Sequence, residues 1–132
     1  MVKIDFNQLH VHSCMSRRDA HSRIDLLVKK AKDNGQRAVA LTDHGVLHGI
    51  PQFFAEAEKQ GIKPIAGFEG YMTQGPRGEA SPHFHQLLIA KNKKGFQNLV
   101  KLSSEAFLSG FYNKPRFDWE LLEKHSEGLI AT

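Results

Sequence analysis

The apolar run Ala38-Val39-Ala40-Leu41 passes straight into Thr42-Asp43-His44-Gly45, and this abrupt change of character recurs along the chain. Lys63-Pro64-Ile65-Ala66-Gly67-Phe68 ends at the acid Glu69, and residues 84–90 open on Phe84-His85. Short apolar runs of this kind are buried strands, so the polar residues beside them mark strand ends. Residues 6–11 read as a further strand, and in His10-x-His12 the alternation of an extended chain aims both imidazoles at one face. Helical patterns separate these runs. Ser22-Arg23-Ile24-Asp25 has the form of a capping box ahead of Ile24, Leu27, Val28 and Ala31, with Gly35 as the stop. A helix over 50–60 tolerates Pro51 in its first turn and ends at Gly61. Phe96, Leu99, Val100, Ser103 and Phe107 repeat at helical spacing, which predicts a core face including Phe96, Leu99, Val100 and Phe107, and the Phe53-Phe54 pair is expected in the core as well. Asp118 is placed to cap a short helix carrying Trp119, Leu121 and Leu122, and residues 128–132 start another strand. Residues 73–82 and 111–116 read as loops.

Strand and helix in alternation predict an α/β architecture with a parallel sheet, and in barrels of that kind function collects at the C-terminal ends of strands. A closed barrel of eight units takes about 250 residues, so the 132 residues of this chain hold roughly half of one. The single cysteine, Cys14, excludes an internal disulfide and a cysteine-type zinc site, so any metal must use nitrogen and oxygen ligands. Met1-Val2-Lys3-Ile4-Asp5 lacks the basic and apolar regions of a leader, and no stretch approaches the roughly 20 apolar residues of a membrane span; a cytoplasmic address and no membrane partner are expected. A formal charge of +4 suits a polyanionic partner such as nucleic acid and is also common in ordinary domains. Lys91, Lys93, Lys94 and Lys101 near Phe96 read either as a phosphate-contacting cluster or as a solvated helix face.

The polar residues at the strand ends form the inventory of a metal-dependent enzyme: His10, His12, Asp19, Asp43, His44, Glu69 and His85. Each has a bland reading when taken singly. A lone histidine in a strand is usually surface or core, Asp19 suits a turn or helix cap, Glu69 an exposed strand end, and His83 competes with His85. His21, His48 and His125 read as solvated or capping residues, and Cys14 as a small loop residue. As a set, imidazole nitrogen and carboxylate oxygen suit zinc, manganese or iron. Clustered cations of this type generate hydroxide near neutral pH and clamp phosphate oxygens. Glu69 is the natural bridging carboxylate, and Asp43 beside His44 reads as a partner that orients an imidazole or caps the backbone.

His10-x-His12, Asp19, Thr42-Asp43-His44-Gly45, Gly67-x-Glu69 and Phe84-His85-Gln86-Leu87 resemble, in order and spacing, the polymerase and histidinol phosphatase (PHP) family. Arg23-Ile24-Asp25-Leu26-Leu27-Val28-Lys29-Lys30-Ala31-Lys32, Gly61-Ile62-Lys63-Pro64-Ile65, Asn98-Leu99-Val100-Lys101-Leu102-Ser103-Ser104 and His125-Ser126-Glu127-Gly128-Leu129-Ile130 resemble the branch of that family found at the N-terminus of bacterial DNA polymerase III α subunits. The resemblance implies a distorted seven-stranded α/β barrel, with residues 1–132 its N-terminal part. It also implies up to three divalent ions at the C-terminal face and phosphoester hydrolysis of the 3′–5′ exonuclease or phosphatase type. It puts His10, His12, Asp19, His44, Glu69 and His85 at ligand positions, with a further His and an Asp-x-His expected later in a complete domain. Ala20 departs from the pattern, since relatives often have Gly after the Asp.

The implied partners are DNA, reached through the parent polymerase, other polymerase domains and replisome subunits. Nucleotide polymerisation belongs, on the same resemblance, to later domains of such a parent. Two other classes remain open at this stage. One is a structural module that uses metal to brace the polymerase and dock partners. The other is a free-standing phosphatase for a small phosphoester, against which Lys101-Leu102-Ser103-Ser104 argues.

Overall fold

A computed structural model describes residues 6–132, so the leaderless reading of residues 1–5 lies outside the described residues. The elements are α1 (Ile24–Asp33), β1 (Ala38–Leu41), α2 (Ile50–Gln60), β2 (Lys63–Thr73), β3 (His83–Ala90), α3 (Lys93–Leu108), β4 (Phe111–Tyr112), β5 (Lys114–Phe117), α4 (Trp119–Lys124) and β6 (Leu129–Ala131). The sheet runs β4-β5-β2-β3-β6, with β1 paired to β2. This is a mixed α/β arrangement consistent with part of a barrel.

Strand β2 organises the molecule. Its first residues pair in parallel with β1 (Leu41 opposite Ala66), and its later residues pair antiparallel with β3 (Glu69 opposite Leu87, Tyr71 opposite His85) and parallel with β5 (Tyr71 opposite Arg116). Alternation sends successive side chains to opposite faces. Ala66, Phe68 and Met72 enter the helical layer, which leaves Glu69, Tyr71 and Thr73 on the other face. Under the β1 side, Ile24, Val28, Val39, Leu41, Phe53 and Ala57 form one packed cluster. Under the β3 side, Phe68, Leu88, Leu99, Leu102, Phe117 and Leu121 form another.

The structure corrects several expectations. The sheet is mixed rather than parallel: residues 74–82 join β2 to β3 directly, and a connection that short joins antiparallel neighbours. Strand β2 continues to Thr73, so Glu69 lies inside the strand rather than at its end. Residues 6–11 form no regular strand. Gln8 makes an isolated parallel bridge to Val39, and hydrogen bonds from Ala40 N to Gln8 O and from Thr42 N to Val11 O hold the segment beside β1.

The capping box does not close. Arg23 rather than Ser22 occupies the cap of α1, and Asp25 pairs with the Arg23 guanidinium at 2.7 Å. Residues 111–116 are a tight hairpin, not a loop, turning at Asn113 with φ 61°. In α3 the buried face is Gly95, Asn98, Leu99, Leu102 and Ala106, while Val100 and Phe107 are exposed, as is Phe54 in α2. Small residues there admit close packing, and buried Asn98 donates to Glu127 O at 2.8 Å, a role that a pattern of large apolar residues does not reveal. The stop at Gly61 and the Asp118 cap, which accepts from Leu121 N at 3.0 Å, form as expected.

Candidate metal centre

Glu69 is the hub. Its side chain is 6% exposed, and four imidazoles surround it. His10 Nε2 donates to Oε2 at 2.7 Å, His12 Nε2 lies 2.7 Å and His44 Nε2 3.6 Å from the same oxygen, and His85 Nδ1 lies 2.8 Å from Oε1. His12 and His44 are tilted against one another at 4.3 Å between ring centroids. Two groups with metal-ligand spacing result, His10–His12–Glu69 and His44–Glu69–His85, and they share the one carboxylate.

The local chain explains how these rings converge. Thr42 Oγ1 accepts from Val11 N at 2.9 Å and donates to Val11 O at 3.1 Å, which fastens the His10-x-His12 segment to the tip of β1. His44 is bridged to Glu69 through the backbone, Glu69 N donating to Asp43 O and Gly45 N to Glu69 O. Gly45 has φ +67°, and a Cβ there would meet the Pro115 ring at 2.8 Å, so the turn after His44 requires glycine. Gly67 admits a similar close approach, since a Cβ would lie 3.0 Å from Thr42 Cγ2.

Asp43 is buried at 2% exposure, and its carboxylate accepts from Ser13 N (2.6 Å), Ser13 Oγ (2.8 Å) and Ser16 Oγ (2.7 Å). Ser16 Oγ in turn accepts from His44 N at 3.0 Å. Asp43 therefore caps backbone and anchors the loop after His12, and its hydrogen bonds go to serines rather than to an imidazole. Asp19 lies outside both ligand groups and is exposed, although its charge raises the proton affinity of His44. His83 meets the Tyr71 ring edge-on at 5.5 Å, while His85 faces Glu69.

Burial acts on both partners of the cluster. It pushes the Glu69 carboxyl up, but the His10 hydrogen bond and the nearby His44, His10 and His85 outweigh it and leave Glu69 below its usual range. For His44, burial is the leading cause of a lowered pKa, opposed by Glu69 and Asp19. A neutral His44 imidazole beside an ionised Glu69 carboxylate is the pairing of protonation states that metal binding requires. His12 Nε2 is buried with no hydrogen-bond partner although it lies 2.7 Å from Glu69 Oε2, and His44 Nδ1, the ring nitrogen other than the one facing Glu69, is buried without a partner as well. Buried nitrogens are rarely left so. A nitrogen- and oxygen-ligated divalent ion fits this donor set.

Ser13, Ser16, Thr42 and Tyr71 were not singled out by sequence reasoning. Hydroxyl residues beside a histidine pair carry no periodic signal, and Tyr71 lies past Glu69, where the sequence reading ended the strand that in fact runs to Thr73.

Comparison with known proteins places these features. The family model described as PHP domain matches residues 8–132. DNA polymerase III subunit alpha of Aquifex aeolicus is 47% identical over 96% of this chain, and that of Treponema pallidum 44% identical over 99%. The chain spans 12% of the length of each. Among solved structures, a Bifidobacterium adolescentis protein assigned as a metal-dependent phosphoesterase superposes with TM-score 0.58 at 19% identity, covering 76% of this chain and 32% of that one. An amidohydrolase from Chromobacterium violaceum gives the same TM-score at 21% identity and the same coverage. At those identities the likeness concerns the fold.

Proposed function

This chain belongs to the PHP domain family, and from that premise we propose that it is the N-terminal part of a metal-dependent phosphoesterase domain of a DNA polymerase III α subunit. The reaction is hydrolysis of a phosphoester, either removal of a 3′-terminal nucleotide or cleavage of a phosphomonoester. One observation carries the reading: a single buried carboxylate, Glu69, is shared by His10 and His12 on one side and His44 and His85 on the other. The polymerase context rests on relatives that match nearly the whole chain. On this reading the domain works on DNA through its parent, beside other polymerase domains and replisome subunits, in the cytosol. Among the described residues no helix is long and apolar enough to cross a membrane.

Residues His10, His12, His44, Glu69 and His85 would hold divalent zinc, manganese or iron, and Asp19 joins them from the rim. Bound ions of this class lower the pKa of water and neutralise phosphoryl oxygens. Glu69 supplies one oxygen to each ligand group. His12 offers a buried Nε2, facing Glu69, that has no hydrogen-bond partner in the fold. Asp43 is a positioning residue, holding Ser13 and Ser16 so that His12 and His44 stay in place.

The test is elemental analysis after chelator-free purification, followed by hydrolysis assays on 3′-ended DNA and on a small phosphomonoester. At least one equivalent of metal per chain, lost in His12→Ala and Glu69→Ala together with hydrolysis, is the expected result. Metal without hydrolysis of either substrate would leave a structural brace as the function. A wild-type chain that takes up no zinc, manganese or iron on reconstitution overturns the metal reading.

A further inference from the structure

Beside the His–Glu cluster lies a pair of donors, exposed Lys114 and buried Tyr71, whose remaining hydrogens meet no protein acceptor among the described residues. Tyr71 on β2 is buried, and its ring stacks on His44 at 5.6 Å and 12° and meets His85 edge-on at 5.2 Å. Lys114 on β5 lies over the same ring, with Nζ 4.8 Å from the centroid, and donates to the Tyr71 hydroxyl oxygen at 3.2 Å. An ammonium has three donors and a phenol one of its own. Among the described residues no acceptor takes the Tyr71 hydroxyl hydrogen or the other Nζ hydrogens, and no carboxylate pairs with Lys114. Lys29, Lys59 and Lys94, by contrast, each pair with a carboxylate.

The neighbouring charge points the same way. Arg116 follows Lys114 by two residues and so shares its face of β5, opposite Tyr71 in register. It is 1% exposed, its guanidinium donates to the carbonyls of Ser81 and Glu79, and its Nε has no partner. No described carboxylate offsets that charge. The side of the cluster formed by β5 therefore carries two cations with no carboxylate partner, Arg116 over the Tyr112 ring at 4.8 Å and Lys114 one ring's breadth from His44 and His85, the latter with unused N–H donors beside the Tyr71 hydroxyl. An oxyanion satisfies the donors and the charge together.

We propose that Lys114 and Tyr71 form the oxyanion subsite of the metal centre, binding the non-bridging oxygens of the phosphoryl group that is hydrolysed. The inference rests on the phosphoesterase reading above and specifies which residues of this chain grip the substrate. Lys114 supplies a mobile point charge, and Tyr71 fixes where it sits while offering its own hydroxyl hydrogen.

The probe is inorganic phosphate, titrated into the metal-loaded chain by calorimetry, with metal per chain measured on the same samples. Lys114→Gln is expected to keep its metal and weaken phosphate binding about tenfold. Lys114→Arg restores most of the affinity, Tyr71→Phe weakens it by a smaller factor, and the distant Lys59→Gln leaves it unchanged. Lys114→Gln binding phosphate as the wild type does, with metal retained, overturns the subsite, as does a metal-loaded wild type that binds no phosphate. Failure of the phosphoesterase reading shows separately, as absence of metal in the wild type, and the subsite falls with it.

Discussion

Two loops flank the His–Glu cluster, and each is tied down by one buried charge of opposite sign. On the β1 side Asp43 gathers the backbone N–H and hydroxyl of Ser13 and the hydroxyl of Ser16. On the β5 side Arg116 reaches the carbonyls of Ser81 and Glu79 in the segment between β2 and β3. The carboxylate is saturated by short bonds from groups that are themselves buried, Ser13 at 0% and Ser16 at 2% exposure. The guanidinium keeps one donor unpartnered, and its acceptors sit at an exposed and a half-buried residue. A buried anion surrounded by short bonds from neutral donors makes a rigid anchor, whereas the Arg116 cation, held by two carbonyls and the face of Tyr112 at 4.8 Å, fixes a loop with one donor still unused.

Removing each anchor tests that asymmetry. Asp43→Ala strands three donors in a dry site and is expected to cost about 3 kcal/mol, read as a lower urea midpoint in the metal-free chain. Ser16→Ala removes one acceptor–donor link and leaves His44 N without an acceptor, for about 1.5 kcal/mol. It should also weaken metal affinity, measured by competition with a chelator. Arg116→Met is expected to cost only about 1 kcal/mol, because water can replace the guanidinium at the loop carbonyls and an unpaired buried charge is relieved at the same time. Equal losses in Asp43→Ala and Arg116→Met would erase the distinction between the two anchors.

Acidification sharpens it differently, through the cluster between the loops. His44 and Glu69 both have folded-state pKa values below their ordinary 6.5 and 4.5, so in each case the unfolded chain binds protons more readily. Stability of the metal-free chain is then full above pH 6.5 and falls as pH drops through the lowered His44 value, then further below 4.5 as Glu69 titrates. Urea midpoints at successive pH values should show this decline, with the upper step reduced in His44→Asn. A flat profile between pH 7.5 and pH 5.5 contradicts it.

Much of the site was legible in the sequence. The order His10-x-His12, His44, Glu69, His85 named residues that meet around one carboxylate, because as a set they form a donor inventory that none of them suggests singly. Asp19 was named by the same pattern and lies outside the two tight groups, near enough for its charge to act on His44. Asp43 was noticed for its place next to His44, but its partners, serines some thirty positions earlier, follow from how the loop returns over β1. In α3 Leu99 is buried as expected, but Val100 and Phe107 are exposed, and Gly95, Asn98, Leu102 and Ala106 complete the buried stripe.

The residue types and their spacing determined by themselves that this chain mixes strands and helices and sets imidazole and carboxylate donors beside apolar runs, because periodicity and donor chemistry are local properties. Only the tertiary structure decided that β2 runs through the site to Thr73 and pairs antiparallel with β3. It also decided that four imidazoles close on Glu69, the carboxylate already read as a bridge, and that Lys114 lies over Tyr71 beside the histidines. Those facts depend on strand register and on which loops fold back, and register is set by packing across the whole sheet rather than by any one segment.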